Sequence, residues 1–352
     1  MKKVLLVSNP HCGGAERVTV LLGKILHDRG YDIELLIYKQ CESESCDILS
    51  FIPEYFTVST ITCRYRFLLI RLYAYLKSNS CDYVFSSLPM INHIIIILVK
   101  LFFRRRKVVI RECNTPSRHP KRIQALNKIL YRYADGVISQ TEEMKDEMMS
   151  VYKLPQDLIT TIVNPIDVDL IREMIKERYL FPSESVVYVA VGRVQPQKGY
   201  DILIKAFSKV VKEQPSSILY IVGNDSGKYA EQQKELVLEL ELNNNVVFTG
   251  FQENPYKYMV EADCYVLSSW YEGLPNTLLD AVYLNLPIVA TSSIPYIPKL
   301  LGRYSKGKCV PVGDIDQLAV SMIDLVKSGV GDFESYENIL CNNVTSLFQI
   351  FG

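Results

Sequence analysis

Short apolar, β-branched runs alternate with longer segments of helical spacing along the whole chain, and no other feature narrows the fold as far. The first half offers KVLLVS, IELLIY, YVFSS, KVVIRE, GVISQ and ITTIV as strands. The second offers VVYVAVG, SILYIVG, NVVFTG, CYVLSS, PIVAT and KCVPV. Segments between them, such as AERVTVLLGKILHDRG and YDILIKAFSKVVKEQ, place apolar residues three and four apart. Strands that are apolar on both faces need cover on both faces, which is the condition of a parallel sheet between helix layers. No segment repeats with a period of about 20–50 residues, so a solenoid is excluded.

At 352 residues the chain is long enough for two such domains, each with its own core. The boundary is expected near VNPIDVDLI, residues 163–171, where an Asn-Pro step ends a strand and a helical segment follows. The expected class is α/β, with two Rossmann-like, doubly wound parallel sheets. The first domain spans 1–166, the second 167–335, and a tail at 336–352 crosses back to the first. Ligands bind at strand C-terminal ends in such sheets, which two domains in tandem can turn toward a shared cleft.

The net charge is zero, with 39 Lys+Arg and 39 Asp+Glu, but it is unevenly spread. Residues 1–166 carry 23 basic and 16 acidic residues, and the remainder carries 16 and 23. That asymmetry points to an anionic partner for the first half. Nine Cys without a C-x-x-C pair fit a reduced compartment better than a disulfide framework or zinc site. The opening MKKVLLVSNP reads as a first strand rather than a signal peptide. The most apolar run, IIIILVKLFF at 94–103, falls short of the roughly 20 residues that span a bilayer.

Three strand-end segments carry candidate chemistry. In YEGLPNTLLD, 271–280, a strand precedes and a helix follows. Pro275 suits the first helical turn, and the amides of Asn276, Thr277 and Leu278 would then offer an anion site. Gly273 admits close backbone approach. Glu272 and Asp280 flank that site as acceptors for hydroxyls. A sugar, a diphosphate and a ribose would fit such an order; an ordinary strand-loop-helix joint with a solvated Glu fits it too. In VAVGRVQPQKGYD, 189–201, Arg193 and Lys198 follow a strand and could neutralise a diphosphate, or could be two solvated loop cations. In SNPHCGGAERV, 8–18, Gly13 and Gly14 sit between the first strand and first helix. The G-x-G-x-x-G pattern is missing, so a nicotinamide dinucleotide is poorly supported, and a tight turn explains the pair equally. Asp167-Val168-Asp169 and Asp314-Ile315-Asp316 read as helix-start acids rather than metal ligands.

Taken together, CGGAERV, VGRVQPQKGYDILIKAF and YEGLPNTLLDAVYLNLPIVAT closely resemble the retaining glycosyltransferases of family 4, which have the two-domain GT-B fold. VNPID, IVGNDSG, VVFTGF and VPVGDIDQLA add lesser matches, so the likeness spans nearly the whole chain. The resemblance implies that Arg193 and Lys198 hold the donor diphosphate and that Glu272 holds the donor sugar. It places the backbone of Gly273, Leu274, Asn276, Thr277 and Leu278 around sugar and phosphate. Asp280 would bind the ribose, Gly13 and Gly14 would line the donor-acceptor junction, and Phe251 would border the base. It implies no bound metal and no cofactor beyond the nucleotide-sugar substrate. Three positions depart from the pattern. The second acid is Asp280 where relatives carry Glu. Asp225 stands where many have Gly. RECNTPSRHP resembles a loop in which many relatives carry a His beside the reacting sugar; here the nearest match is Cys113, with Glu112 beside it and His119 further on, so either Glu112 or Cys113 could take the sugar side.

From Arg64 to Arg132 there are 15 Lys+Arg and two acids, Asp82 and Glu112. RYRFLLIRLYAYLK, 64–77, would turn Phe67, Leu68, Leu72, Tyr73 and Leu76 to one apolar face, and Arg104, Arg105, Arg106 and Lys107 follow the apolar run. This is the composition of an interfacial helix on anionic lipid, and also of a core helix with a solvated rim. No nucleic-acid module is visible. The expectation is a metal-independent transferase moving a sugar from a UDP-sugar to a polyprenyl-diphosphate-linked glycan of a surface polysaccharide, O-antigen or capsule. It would sit peripherally on the inner face of the cell membrane. A sugar-nucleotide 2-epimerase of the same fold and a non-catalytic partner subunit are the alternatives.

Overall fold

The computed structural model of the chain describes residues 1–11, 13–42, 44, 46–328 and 344–351. The chain divides into two compact units, Met1–Pro165 with Asn342–Gly352, and Ile166–Cys341. Of the tail expected at 336–352, residues 336–343 and 352 lie outside the described residues.

The first unit is built on β1 (Lys3–Ser8), β2 (Asp32–Lys39), β3 (Thr57–Thr62), β4 (Tyr83–Ser86), β5 (Lys107–Arg111), β6 (Gly136–Ser139) and β7 (Ile159–Thr161). All pair in parallel, in the order β3-β2-β1-β4-β5-β6-β7. Its helices are α1 (Gly14–His27), α2 (Leu68–Ser78), α3 (Pro89–Phe102), α4 (Lys121–Leu130) and α5 (Glu142–Glu147). Alternate residues of one strand go to opposite cores, as the two-residue period of a strand requires. Leu5 and Val7 join Leu68, Leu72 and Leu76 of α2 and Ile91, Ile95 and Val99 of α3. Val4 and Leu6 join Val18, Leu22 and Leu26 of α1. The chain end closes that second core: the ring of Phe351 lies 5.1 Å from Tyr83, and its carbonyl accepts from Tyr31 at 3.2 Å.

Two expectations for this unit are corrected. β3, TVSTIT, is an edge strand exposed along most of its length, so it shows no apolar run in the sequence. On α2, Leu68, Leu72 and Leu76 are buried in the protein core and are not available to lipid; burial of such a side chain stabilises by about 1.5–3 kcal/mol. The outward residues around this helix are Tyr65, Phe67, Leu69 and Ile70. Of the four basic residues after α3, Arg104, Arg105 and Lys107 are exposed, whereas Arg106 is half-buried. Arg106 donates to the Asn79 carbonyl at 2.9 Å and stacks on Phe103, so it holds the fold together. Among the described residues no helix is long and apolar enough to cross a membrane.

The second unit carries β8 (Val187–Val191), β9 (Ile218–Val222), β10 (Val246–Gly250), β11 (Cys264–Leu267), β12 (Ile288–Thr291) and β13 (Gly307–Val310). The strands are again parallel, in the order β10-β9-β8-β11-β12-β13. They alternate with α6 (Val168–Met174), α7 (Tyr200–Glu213), α8 (Lys228–Glu239), α9 (Tyr256–Met259), α10 (Asn276–Tyr283), α11 (Tyr296–Leu301) and α12 (Ile315–Lys327). The short chain-terminal helix, α13 (Leu347–Phe351), belongs to the first unit. Both Asp-x-Asp strings start helices: Asp167 accepts from Leu170 N at 3.3 Å and Asp314 from Gln317 N at 2.9 Å.

Candidate active site

In a doubly wound sheet the strand order reverses at one place, and the loops leaving the strand ends there splay apart to form a crevice. In the second unit the reversal lies between β8 and β11. The loops leaving those strands are the Arg193–Lys198 and Glu272–Pro275 segments, so the topology itself brings the two motifs together.

Local contacts fix the loops to each other. Gly199 has φ +63, and an added Cβ would lie 2.3 Å from the Ser268 carbonyl oxygen. Only glycine permits both the turn and that approach. Ser268 Oγ donates to Lys198 O at 2.9 Å, and Trp270 N donates to Gln197 O at 2.9 Å. This places Lys198 Nζ 2.7 Å from Glu272 Oε1, with the Glu272 side chain only 7% exposed. The same oxygen accepts from Ser269 Oγ at 2.6 Å, and Gln197 Nε2 donates to Oε2 at 3.4 Å. Ser269 is held in turn through its carbonyl by Thr291 Oγ1 at 2.6 Å.

Lys198 is thus paired with an acid rather than held out as an independent cation. Arg193 differs: it is exposed, and among the described residues its guanidinium makes no hydrogen bond or ion pair. Its backbone is pinned on both sides, by Gly192 N to Val222 O at 2.9 Å and Val194 N to Asn224 O at 2.8 Å. Gly223 lies so close that a Cβ there would meet Gly192 O at 2.2 Å.

At the start of α10, Pro275 is the capping residue and Asn276 the first helical one. Leu278 N already donates to Pro275 O at 3.1 Å, so this amide is spent inside the helix and the expected set of three amides is corrected. Gly273 and Leu274 are buried beneath the turn, and Asn276 and Thr277 are half-buried. Thr277 Oγ1 is 2.7 Å from Tyr265 OH. Asp280 accepts from Tyr256 OH at 3.2 Å. Phe251 follows β10 and is 53% exposed. Asp225, the departure in IVGNDSG, forms an ion pair with Lys234 at 3.1 Å on α8.

In the first unit the order reverses between β1 and β4. Gly13 caps α1 with extended backbone, φ −91 and ψ 175, and Gly14 is the first residue of that helix. A Cβ on Gly13 would lie 2.4 Å from Glu16 Oε2, so the space that glycine leaves is taken by a carboxylate. Ser87, after β4, lies 3.0 Å from Thr19 Oγ1 of α1.

The expectation that Glu112 faces a sugar is corrected. Its carboxylate is completely buried, and five groups of the same unit serve it. Oε1 accepts from Cys113 N at 3.0 Å and Asn114 N at 3.2 Å, and lies 3.3 Å from His119 Nε2. Oε2 accepts from Tyr131 OH and Tyr152 OH, each at 3.4 Å. The carboxylate holds His119 above the usual imidazole range, partly opposed by burial. Cys113 lies in a second knot: its Sγ donates to Ser87 O at 3.4 Å and receives Arg111 Nη1 at 3.2 Å. Burial pushes this thiol up to about 11, so it stays protonated at neutral pH.

Sequence reasoning passed over Ser269, Gln197, Thr291, Tyr256, Glu16 and Ser87. Ser269 could have been found, since it stands one helical-turn spacing before Glu272 at a strand end. Among the described residues no three His, Cys, Asp or Glu side chains gather as a metal-ligand set.

A model described as Glycosyltransferase Family 4 matches residues 12–170, and one described as Glycosyl transferases group 1 matches 171–342. A glycosyltransferase of Methanocaldococcus jannaschii is 36% identical over 170 residues, 47% of this chain and 41% of that protein. The N-acetylgalactosamine-N,N'-diacetylbacillosaminyl-diphospho-undecaprenol 4-alpha-N-acetylgalactosaminyltransferase of Campylobacter jejuni is 25% identical over 238 residues, 66% of this chain and 62% of that protein. The chain therefore spans less than two thirds of either relative. Among solved structures, Anabaena HepE in complex with UDP and glucose superposes with a TM-score of 0.77 at 18% identity, covering 99% of this chain and 94% of that one. S. aureus TarM gives 0.78 at 12% identity, covering 100% and 99%. With two parallel-sheet units of GT-B class and two tandem models that between them run from residue 12 to 342, the chain belongs to the family 4 glycosyltransferases.

Proposed function

We propose that the protein is a retaining glycosyltransferase that moves a sugar from a nucleotide-sugar, a UDP-sugar by preference, to a lipid-linked glycan. The observation that carries this reading is the pairing of Lys198 with a nearly buried Glu272 at the sheet reversal, in the same loop as the exposed Arg193. A nucleotide-sugar is a diphosphate between two polyols. Arg193 and Lys198 match the diphosphate, Glu272 the sugar hydroxyls, and Asp280 the ribose. Gly273 to Thr277 supply backbone around sugar and phosphate, and Phe251 borders the base.

In the reaction the sugar C1 bond to the diphosphate oxygen breaks as the acceptor oxygen bonds C1 on the same face. The acceptor proton passes to a donor phosphate oxygen, and the nucleoside diphosphate leaves. Charge grows on that diphosphate in the transition state, and fixed cations aimed there lower the barrier. These cations perform the neutralisation that a metal supplies elsewhere, so activity is expected to persist in EDTA.

The first unit then serves the acceptor, with Gly13, Gly14 and Cys113 at its strand ends. The Campylobacter relative is named for an acceptor whose sugars are carried on diphospho-undecaprenol, which supports a polyprenyl-diphosphate-linked glycan for this chain and, with it, a role in surface polysaccharide synthesis, O-antigen or capsule. Such an acceptor requires a peripheral position on the cytoplasmic membrane face, with Arg104, Arg105 and Lys107 toward anionic lipid and Arg106 in a structural role. Thermal-shift screening of UDP- and GDP-sugars, followed by transfer to a polyprenyl-diphosphate glycan, tests the reading. Failure of every nucleotide-sugar to stabilise the protein overturns it.

A further inference from the structure

We infer that Trp270 is a stacking platform for a pyranose ring of the acceptor glycan, so that the second unit itself contacts the acceptor just beyond the donor sugar. The inference rests on the proposed donor site and adds a contact to an acceptor otherwise served by the first unit.

Along the order β10-β9-β8-β11-β12-β13, Phe251 follows β10, Arg193 and Lys198 follow β8, and Glu272 follows β11. A donor laid on those residues runs base, diphosphate, sugar in the direction of β13. Trp270 is the next group along that line. It leaves β11 in the same loop as Glu272, but its indole reaches past β12. A Cβ on Gly313, in the loop after β13, would lie 3.3 Å from Cη2 and Cζ3 of that indole. Gly313 has φ +83, a turn that suits glycine, and the missing side chain leaves the edge of the indole its seat.

The ring is held without being hidden. Trp270 N donates to Gln197 O at 2.9 Å, and Gln197 Nε2 donates to Tyr271 O at 3.0 Å, so one glutamine fixes the backbone of both aromatic residues. Trp270 nevertheless stays 42% exposed and Tyr271 39%. An aromatic ring already fixed in the free protein loses little freedom when a ligand stacks on it. A pyranose suits such a ring. Its axial C–H bonds make an apolar face, the negative face of the indole attracts polarised C–H groups, and the sugar hydroxyls stay at the edge in water.

Trp270 is the single tryptophan of the chain, so its emission reports this place alone. The test follows that emission, and its quenching by acrylamide, in protein saturated with the nucleoside diphosphate it binds, UDP or GDP. The probes are methyl β-D-glucoside, methyl β-D-galactoside, cellobiose and lactose, with glycerol as a polyol without a ring. At least one saccharide should move the emission to shorter wavelength and protect it from acrylamide, and glycerol should do neither. Calorimetric affinity for that saccharide should fall about tenfold in Trp270→Ala and about threefold in Trp270→Phe, which keeps a smaller ring. Affinity for the nucleoside diphosphate should be the same in both variants as in wild type. Silence from all four saccharides, or equal losses of saccharide and nucleotide affinity in the variants, overturns the inference and leaves the donor site standing. The same shift produced by UDP-glucose or GDP-mannose alone would put the donor sugar on the indole, and produced by phosphatidylglycerol vesicles would make Trp270 a lipid anchor; either result overturns the acceptor platform. Failure of wild type to bind any nucleoside diphosphate or nucleotide-sugar overturns this inference and the proposed function together.

Discussion

Lys198 and Glu272, 74 residues apart in sequence, meet through Nζ and Oε1 at 2.7 Å. Ser269 Oγ shares that oxygen at 2.6 Å. The two side chains are unequal partners. Glu272 is almost enclosed at 7% exposure, while Lys198 keeps 21% and a flexible stem. Removing one or the other therefore has different consequences.

Lys198→Met leaves a carboxylate with little access to water, and the cost of an uncompensated charge, discounted for partial exposure, is about 2–3 kcal/mol. Glu272→Gln leaves an ammonium that can turn to solvent, so about 1 kcal/mol is expected. The double variant should be more stable than Lys198→Met alone, because it removes the stranded charge. Urea unfolding of the three proteins measures this; equal losses in both single variants would show that burial of Glu272 is not what sets the pair. All three should lose transfer activity by at least about 100-fold.

Arg193 separates activity from stability. Its guanidinium is exposed and without a partner among the described residues, so Arg193→Ala should leave unfolding unchanged within about 0.5 kcal/mol. Turnover should fall about 100-fold, near 3 kcal/mol of lost charge stabilisation. Steady-state rates with the preferred UDP-sugar decide it. A variant of normal stability and normal rate removes Arg193 from the site.

How much of this could be read beforehand follows from the distances involved. The strands showed because residues such as Val4 and Leu5 face opposite cores and both must be apolar. β3 did not show, since an edge strand buries only part of one face. The site motifs were visible because each follows a strand end, yet their pairing needed the stitch from Ser268 to Lys198 that only the folded loops make. Glu112 was misread because its partners Tyr131 and Tyr152 come from distant segments and His119 reaches it only when the loop after β5 folds back. The stripe Leu68, Leu72, Leu76 has a spacing that suits a core and a bilayer equally, and burial alone separates them.

The His119–Glu112 contact predicts a pH dependence. The hydrogen bond to Glu112 raises the folded pKa of His119 above the usual value. A raised pKa means that the protonated form favours the folded state. Its contribution is complete below the unfolded value, near 6.5, and is lost as pH rises through the folded pKa. The Glu112 carboxylate faces the ring, with the Tyr131 and Tyr152 phenols on its far oxygen. Amide exchange across residues 113–120 should therefore be slower at pH 6 than at pH 8.5, after correction for intrinsic rates. His119→Gln should flatten the difference. A wild-type segment equally protected at both pH values would remove the histidine from any role in ordering it.

The membrane prediction keeps Arg104 and Arg105 but moves its apolar face from the buried Leu68, Leu72 and Leu76 to outward side chains. α2, α3 and α4 lie on one side of the first sheet, and their outer surfaces expose Ile70, Leu101, Phe102 and Ile129 at 57–63%. Of the two acids between Arg64 and Arg132, Glu112 is buried, so the exposed charge is almost wholly basic. Arg104→Ser with Arg105→Ser removes two exposed charges, each contributing about 1 kcal/mol at an anionic surface, so binding should weaken about 30-fold at low salt. Arg106→Ser is the control: it breaks the bond to the Asn79 carbonyl and should cost about 1–2 kcal/mol of stability. Phe102→Ser with Ile70→Ser should weaken the salt-resistant part of binding, which comes from apolar contact. Sedimentation with phosphatidylglycerol vesicles at low and high salt measures all four proteins, and UDP affinity should be the same in each, since these residues lie in the first unit. Wild type left in the supernatant at low salt would make this face a solvated or protein-binding surface and would remove the lipid-linked acceptor's main structural support.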